Sequence, residues 1–265
     1  MKNSRSIVIR RQQALLQLLK EQQRVDVEAA ASALAVSPTT IRRDLMTFER
    51  QHLVKRYHGG ATLISGTLHE EDAGSYAPST DADETQKRAI ASYAAGLIDE
   101  GDTIFINSST TTLLLLDYIK DKHVIVVTNN TRVIDYPHDP LVTVILTGGE
   151  LYSRRPSLIG SFALQTLSKI NADKAFIGVG GISVAAGITT SVLPETEINA
   201  TMMRRAPGAA YVLTANKKIG REHNFLSAPI ESVNSLITGV GGDAAEIANL
   251  RAAGVDVVEL EFADA

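Results

Sequence analysis

The chain has 265 residues, 44% of them hydrophobic and 21% charged, the balance of a soluble protein with a sizeable core. It holds no cysteine, which excludes disulfides and thiolate-held metals. No run approaches the ~20 apolar residues needed to cross a bilayer, so a cytoplasmic protein with no membrane partner and no cofactor is expected.

The formal charge of −4 averages two unlike parts. Residues 1–62 carry eleven Lys and Arg against five acids, a net of +6; the rest carries fifteen against twenty-five, a net of −10. A basic head on an acidic body suggests a polyanion-binding module joined to something with a different task.

From the N-terminus, Ala14, Leu15, Leu18 and Leu19 recur at helical spacing, which predicts a helix over Arg10–Glu21. Asp26 can cap a second helix, Val27 to Leu34, and Ala35-Val36-Ser37 reads as a three-residue turn. A third helix is predicted from Pro38 to about Gln51. Ser37 is a good N-cap, and Pro38 sits where a missing N–H costs nothing. Ile41, Leu45 and Phe48 form the stripe to be buried, leaving Thr39, Thr40, Arg42, Arg43 and Met46 off it. Leu53 to Leu63 reads as two extended runs around Gly59-Gly60, a hairpin. Residues 65–83 are rich in Ser, Gly, Asp and Pro without periodicity and read as a linker.

Glu84 to Ile98 is predicted as an amphipathic helix. Apolar runs then alternate with helical stretches: Thr103–Asn107, Val124–Thr128, Val142–Thr147, Lys174–Gly178, Ala210–Leu213, Ser235–Thr238 and Val255–Leu260. That alternation implies an open, mainly parallel α/β sheet covered on both faces. The expected organisation is therefore a helix-turn-helix head over residues 1–64, a linker over 65–83 and an α/β body over 84–265.

In a helix-turn-helix the N-terminal part of the second helix enters the major groove. Arginine can pair with guanine, and threonine can meet phosphate, base edge or thymine methyl. Ser37, Thr39, Thr40, Arg42 and Arg43 are the candidates on the helix, with Lys55, Arg56 and His58 on the hairpin as a wing. An Arg pair alone would suit any solvated helical hairpin. The basic first helix, short turn, Ser-Pro cap, Arg pair and Gly-Gly hairpin within ~60 residues make double-stranded operator DNA the expected partner.

In the body, polar turns follow the strands. They are Asn107-Ser108-Ser109-Thr110-Thr111-Thr112, Thr128-Asn129-Asn130, Thr147-Gly148-Gly149-Glu150, Gly178-Val179-Gly180-Gly181 and Ala215-Asn216-Lys217-Lys218. Singly, each is an ordinary cap or turn. Together, at one sheet edge, they suggest a small anionic ligand held by hydroxyls, backbone N–H groups and lysine.

VSPTTIRRDL followed by KRYHGGA resembles the DNA-binding signature of DeoR-type bacterial transcriptional regulators, over about residues 9–62. ETQKRAIA, GDTIFINSSTTT, VVTNN, LTGGEL, LIGSFA, DKAFIGVGGI and NKKIG resemble the sensor half of the same family, over about residues 84–240. The resemblance implies a winged helix-turn-helix joined to a sensor of the ribose-5-phosphate isomerase and glucosamine-6-phosphate deaminase type. It also implies a phosphorylated sugar or related metabolite as effector, and because operators usually mirror a protein two-fold, a homodimer or homotetramer is expected. The implied phosphate loop is Ser108-Ser109-Thr110-Thr111 and the implied lysine Lys218, with Asn129, Gly148 and Gly149 alongside. A repressor of a sugar or polyol catabolic operon is the expected function.

The chain departs from the family pattern at Asn107 and Ser109, where Asp and Gly are usual. It departs again at Ala215 for Asp, at Tyr152 for Arg and at Asn199 for a basic residue, while Glu195 keeps a frequent acid. The alternative is a sugar-phosphate isomerase or deaminase-like enzyme on the same fold. Such isomerases carry Gly-Ala-Asp-Glu where this chain has Gly178-Val179-Gly180-Gly181, and glycine moves no proton. Glu150 and Glu195 are the acids left for that role.

Overall fold

The computed structural model describes residues 11, 14, 15, 18, 19, 22, 24–50, 54–57, 59–63, 81–152 and 154–262. The chain divides into two compact units, Met1–Ala77 and Pro78–Ala265.

In the first unit, the described residues of the predicted first helix are helical, and Leu15 and Leu19 are fully buried. A three-residue strand β1 (Arg24–Asp26) leads into α1 (Val27–Ala33). Asp26 caps α1, its Oδ1 accepting from the backbone N–H groups of Glu28 (2.9 Å) and Ala29 (3.3 Å). The helix ends in a left-handed residue, Ala35 (φ +52°), and Val36 N–H closes back onto Ala31 O at 3.0 Å. Helix α2 (Pro38–Arg50) follows, with Ser37 Oγ accepting from Thr40 N–H at 3.2 Å. Ile41, Leu45 and Phe48 are buried together with Val25, Val27, Ala30, Ala31, Val54 and Ala61. Arg11 adds a part-buried ion pair that periodicity does not announce, its Nε 2.6 Å from Asp44 Oδ2.

Strands β2 (Val54–Tyr57) and β3 (Gly60–Leu63) form the hairpin, and β1 pairs with β3 to complete a three-stranded sheet. Tyr57 pairs with Gly60, so Gly60 belongs to β3 and not, as expected, to the turn with Gly59. Gly59 takes φ +94°, and Gly60 lies inside β3, where a Cβ would meet Val25 O at 2.3 Å and the Tyr57 hydroxyl at 2.4 Å.

The second unit opens with α3 (Asp81–Ala95). Asp81–Asp83 thus belong to the helix, not to the linker, and the helix stops three residues short of the expected Ile98. All seven expected strands form one sheet: β4 (Thr103–Ile106), β5 (Val124–Thr128), β6 (Val142–Leu146), β9 (Lys174–Gly178), β12 (Ala210–Leu213), β14 (Ser235–Gly239) and β15 (Asp256–Leu260). Its order is β15-β14-β12-β9-β4-β5-β6, and every pairing is parallel. Alternate residues serve opposite faces. Phe105, Val127, Ile177, Val212 and Leu236 join one core with α5 (Ser161–Ser168), α6 (Leu193–Arg204) and α7 (Ala244–Ala252). Ile104, Ile106, Val126, Phe176, Leu213 and Ile237 join the other with α3.

Two small additions carry no run long enough to be read from the sequence. Strands β7 (Glu150–Tyr152) and β8 (Ser157–Ile159) form a hairpin. Strands β10 (Gly181–Ser183), β11 (Gly187–Thr190) and β13 (Phe225–Ala228) form an antiparallel trio. Among the described residues no helix is long and apolar enough to cross a membrane, and no cluster of His, Cys, Asp or Glu could hold a metal.

Candidate DNA interface and effector crevice

On the head, burying Ile41, Leu45 and Phe48 turns the opposite side of α2 to solvent. Thr39, Arg42 and Arg43 are exposed and Thr40 is half-buried, so the row expected to read DNA is accessible. The Ser37 hydroxyl, 2.8 Å from Thr40 Oγ1, ties that row to the helix start. Arg42 Nη2 lies 3.1 Å from Glu28 and Arg56 Nη1 3.2 Å from Glu49. Such exposed pairs are worth at most ~1 kcal/mol and are readily surrendered to a phosphate. The Lys55 side chain and all of His58 lie outside the described residues.

On the body, the sheet grows outward from β4 through β5 to β6, then returns to β9 and grows the other way. The chain reverses its winding between β4 and β9, and ligands of open α/β sheets bind at the carboxyl ends flanking such a reversal. Asn107 stands there, just after β4. Its Nδ2 donates to Gly178 O (2.8 Å) and Asn199 Oδ1 (3.0 Å), and its Oδ1 accepts from Gly178 N–H (3.0 Å). One buried amide thus ties β4, β9 and α6 together.

The Ser108–Thr111 loop begins beside this clamp. Ser109 caps α4 (Thr110–Leu113), its Oγ accepting from Thr111 N–H at 3.2 Å. The helix expected to open there is a single turn, continued as a 3-10 segment over Leu114–Asp117, so its dipole is small. A Cβ on Gly178 would come within 2.2 Å of Ser109 Cβ, so Gly178 is the space that this serine occupies. Thr112 Oγ1 donates to Asn107 O at 3.0 Å and fixes the loop from below. Lys218 Nζ donates to Val179 O at 2.8 Å, just after β9. Lys217 pairs instead with Asp83 of α3 at 2.8 Å and does not belong to the crevice.

Asn129 and Asn130 are buried at the end of β5. Asn130 Nδ2 donates to Ser109 O (3.3 Å), and Asn129 Nδ2 to Leu158 O (3.2 Å), which joins the β7–β8 hairpin to the Ser108–Thr111 loop. Asn129 Oδ1 and Ser157 Oγ are buried without a hydrogen-bond partner among the described residues. Gly148 (φ +70°) has open space where a side chain would stand. Gly149 does not: its Cβ would meet Ile159 O at 2.5 Å, so its smallness serves packing against β8 and α5.

Glu195, in the first turn of α6, is buried beside the loop. It accepts from Ser108 Oγ at 2.8 Å, and Arg155 Nη1 from the hairpin tip lies 3.4 Å away. A hydroxyl has one proton, so Ser108 as placed presents no donor to an incoming anion. No local pattern in the sequence says that Arg155 reaches Glu195, forty residues on.

A family model for the DeoR-like helix-turn-helix domain matches residues 11–67, and one for the DeoR C terminal sensor domain matches residues 82–240. The chain belongs to the DeoR family of transcriptional regulators. It is 31% identical over 251 residues to the HTH-type transcriptional regulator GlpR of Haloferax volcanii, covering 94% of this chain and 96% of that one. It is 33% identical over 211 residues to the HTH-type transcriptional regulator FruR of Bacillus subtilis, covering 79% and 82%. It is 31% identical over 226 residues to the HTH-type transcriptional repressor GlcR of the same organism, covering 85% and 86%. This DeoR-family chain is thus a DNA-binding regulator of transcription.

Proposed function

We propose that the chain represses a sugar or polyol catabolic operon and that a phosphorylated sugar-like metabolite, bound in the crevice between the ends of β4 and β9, controls its hold on operator DNA. The observation that carries the reading is that the Ser108–Thr111 loop after β4 and Lys218, bonded to Val179 O after β9, stand on the two sides of the reversal point, with Asn130 tied to Ser109 O from the end of β5. The accessible Thr39, Thr40, Arg42 and Arg43 row supplies the DNA contact, and a homodimer or homotetramer matches a two-fold operator. A ligand acts on such a protein only through unequal affinity for its DNA-competent and DNA-incompetent states.

The test is retardation of promoter DNA from the gene's own neighbourhood by the full-length protein. Arg43→Ala is expected to weaken binding by at least tenfold, as loss of one good base contact does. Unchanged binding by that variant removes α2 as the reading helix. Phosphorylated sugars that raise the thermal midpoint identify the effector, since a ligand specific to the folded state stabilises it.

A further inference from the structure

The crevice already holds an anion of its own. Glu195 is 4% exposed, and its two oxygens lie against Ser108 Oγ (2.8 Å) and Arg155 Nη1 (3.4 Å). These partners come from the phosphate loop and from the β7–β8 hairpin tip, the two segments that Asn129 and Asn130 tie together at the end of β5. A hydroxyl donor and a guanidinium converging on one buried carboxylate repeat the contacts that a phosphate oxygen seeks. The carboxylate comes from α6, whose residues Ile198, Met202 and Met203 are packed in the core.

We propose that Glu195 is an internal stand-in for the effector's phosphate, and that the effector acts by displacing it from Ser108 and Arg155. The inference rests on the anion-binding reading of the crevice. A phosphate cannot share the place with an ionised carboxylate, because like charges a few ångströms apart in a buried site repel strongly. Entry of the phosphate frees the Ser108 proton for donation, transfers the Arg155 guanidinium to the ligand and expels Glu195. The first turn of α6 then loses its anchor to the loop. The binding event is thereby passed from a loop to a helix, and Glu195 lowers the resting affinity for anions in general.

The test is calorimetric titration of inorganic phosphate into full-length wild type, Glu195→Gln and Arg155→Met, each first shown by melting to be folded. Glu195→Gln keeps the shape, removes the charge and should bind phosphate at least tenfold more tightly than wild type. Arg155→Met should bind at least fivefold more weakly, so the two variants move in opposite directions, which a general loss of packing cannot produce. Glu195→Asp, whose carboxylate is withdrawn by one methylene, gives an intermediate gain and serves if the glutamine variant does not fold. Phosphate binding that is equal or weaker in Glu195→Gln or, in its place, Glu195→Asp overturns the stand-in while leaving the crevice an anion site. Absence of binding in every variant overturns the crevice reading itself, and the stand-in with it.

Discussion

Asn107 shows how much can depend on one atom's chemistry. Its amide both donates to Gly178 O and accepts from Gly178 N–H, which a carboxylate cannot do. Asn107→Asp sets a buried charge against Gly178 O and Asn199 Oδ1, and the loss of a paired environment for such a charge costs ~3 kcal/mol. Urea unfolding should register that loss, and Asn199→Lys in the same chain should restore part of it. An Asn107→Asp variant as stable as wild type would dismiss the clamp. Both positions stand out in the sequence as departures from the family pattern. That they touch, across 92 residues, is not written in either neighbourhood. Ser109 is a similar case, since its extra side chain fits only because residue 178 has none.

At the scale of elements, the same surface chemistry that looks incidental in sequence joins one segment to the next. Tyr136 ends the short 3-10 turn Thr131–Asp135 and donates to Asp117 Oδ1 at 3.0 Å, and Asp117 in turn meets Arg88 of α3 at 3.2 Å. Burial, then the bond to Asp117, pushes the Tyr136 hydroxyl up to about 12. The folded state therefore keeps this proton to higher pH than the unfolded chain, whose tyrosines titrate near the ordinary value of ~10. Its contribution is present below pH ~10 and is lost as pH rises towards 12. Stability measured across that window should fall more steeply in wild type than in Tyr136→Phe; equal slopes would leave the phenol without a role in alkaline unfolding.

The elements themselves differ in how legible they are. Val124–Thr128, Lys174–Gly178 and Ala210–Leu213 are strands with the bounds their apolar runs predict. Buried parallel strands need continuous apolar residues, and continuity is visible locally. The β7–β8 hairpin and the β10-β11-β13 trio have strands of three or four residues, rich in Gly, Ser and Thr, whose pairing is set by what they pack against. Gly60 of the head lies in a strand and not in the turn for the same reason: Tyr57 covers it, and that contact belongs to the tertiary fold.

At the scale of the molecule, the +6 head and the −10 body describe one division of labour. On the proposed reading the basic head meets the phosphates, so affinity should depend on salt in the manner of counterion release. Between 50 and 200 mM salt, binding of the full-length protein to its promoter is expected to fall by about 10³-fold, the loss that follows from roughly six phosphate contacts. Retardation that is indifferent to salt would mean that the basic head is not the DNA surface.

The sequence by itself determined the family, the Asp26 and Ser37 caps, the buried stripe of α2 and the seven strands of the main sheet. Each depends on spacing or chemistry within a few neighbouring positions. Only the tertiary structure decided which of those residues meet: Ser108 with Glu195, Arg155 with the same carboxylate, Asn107 with Gly178 and Asn199, and Lys217 away from the crevice with Asp83. The physical reason is the reversal of strand order between β4 and β9. That reversal brings segments 71 to 92 residues apart to one sheet edge, and no local rule of periodicity or capping carries information over such a separation.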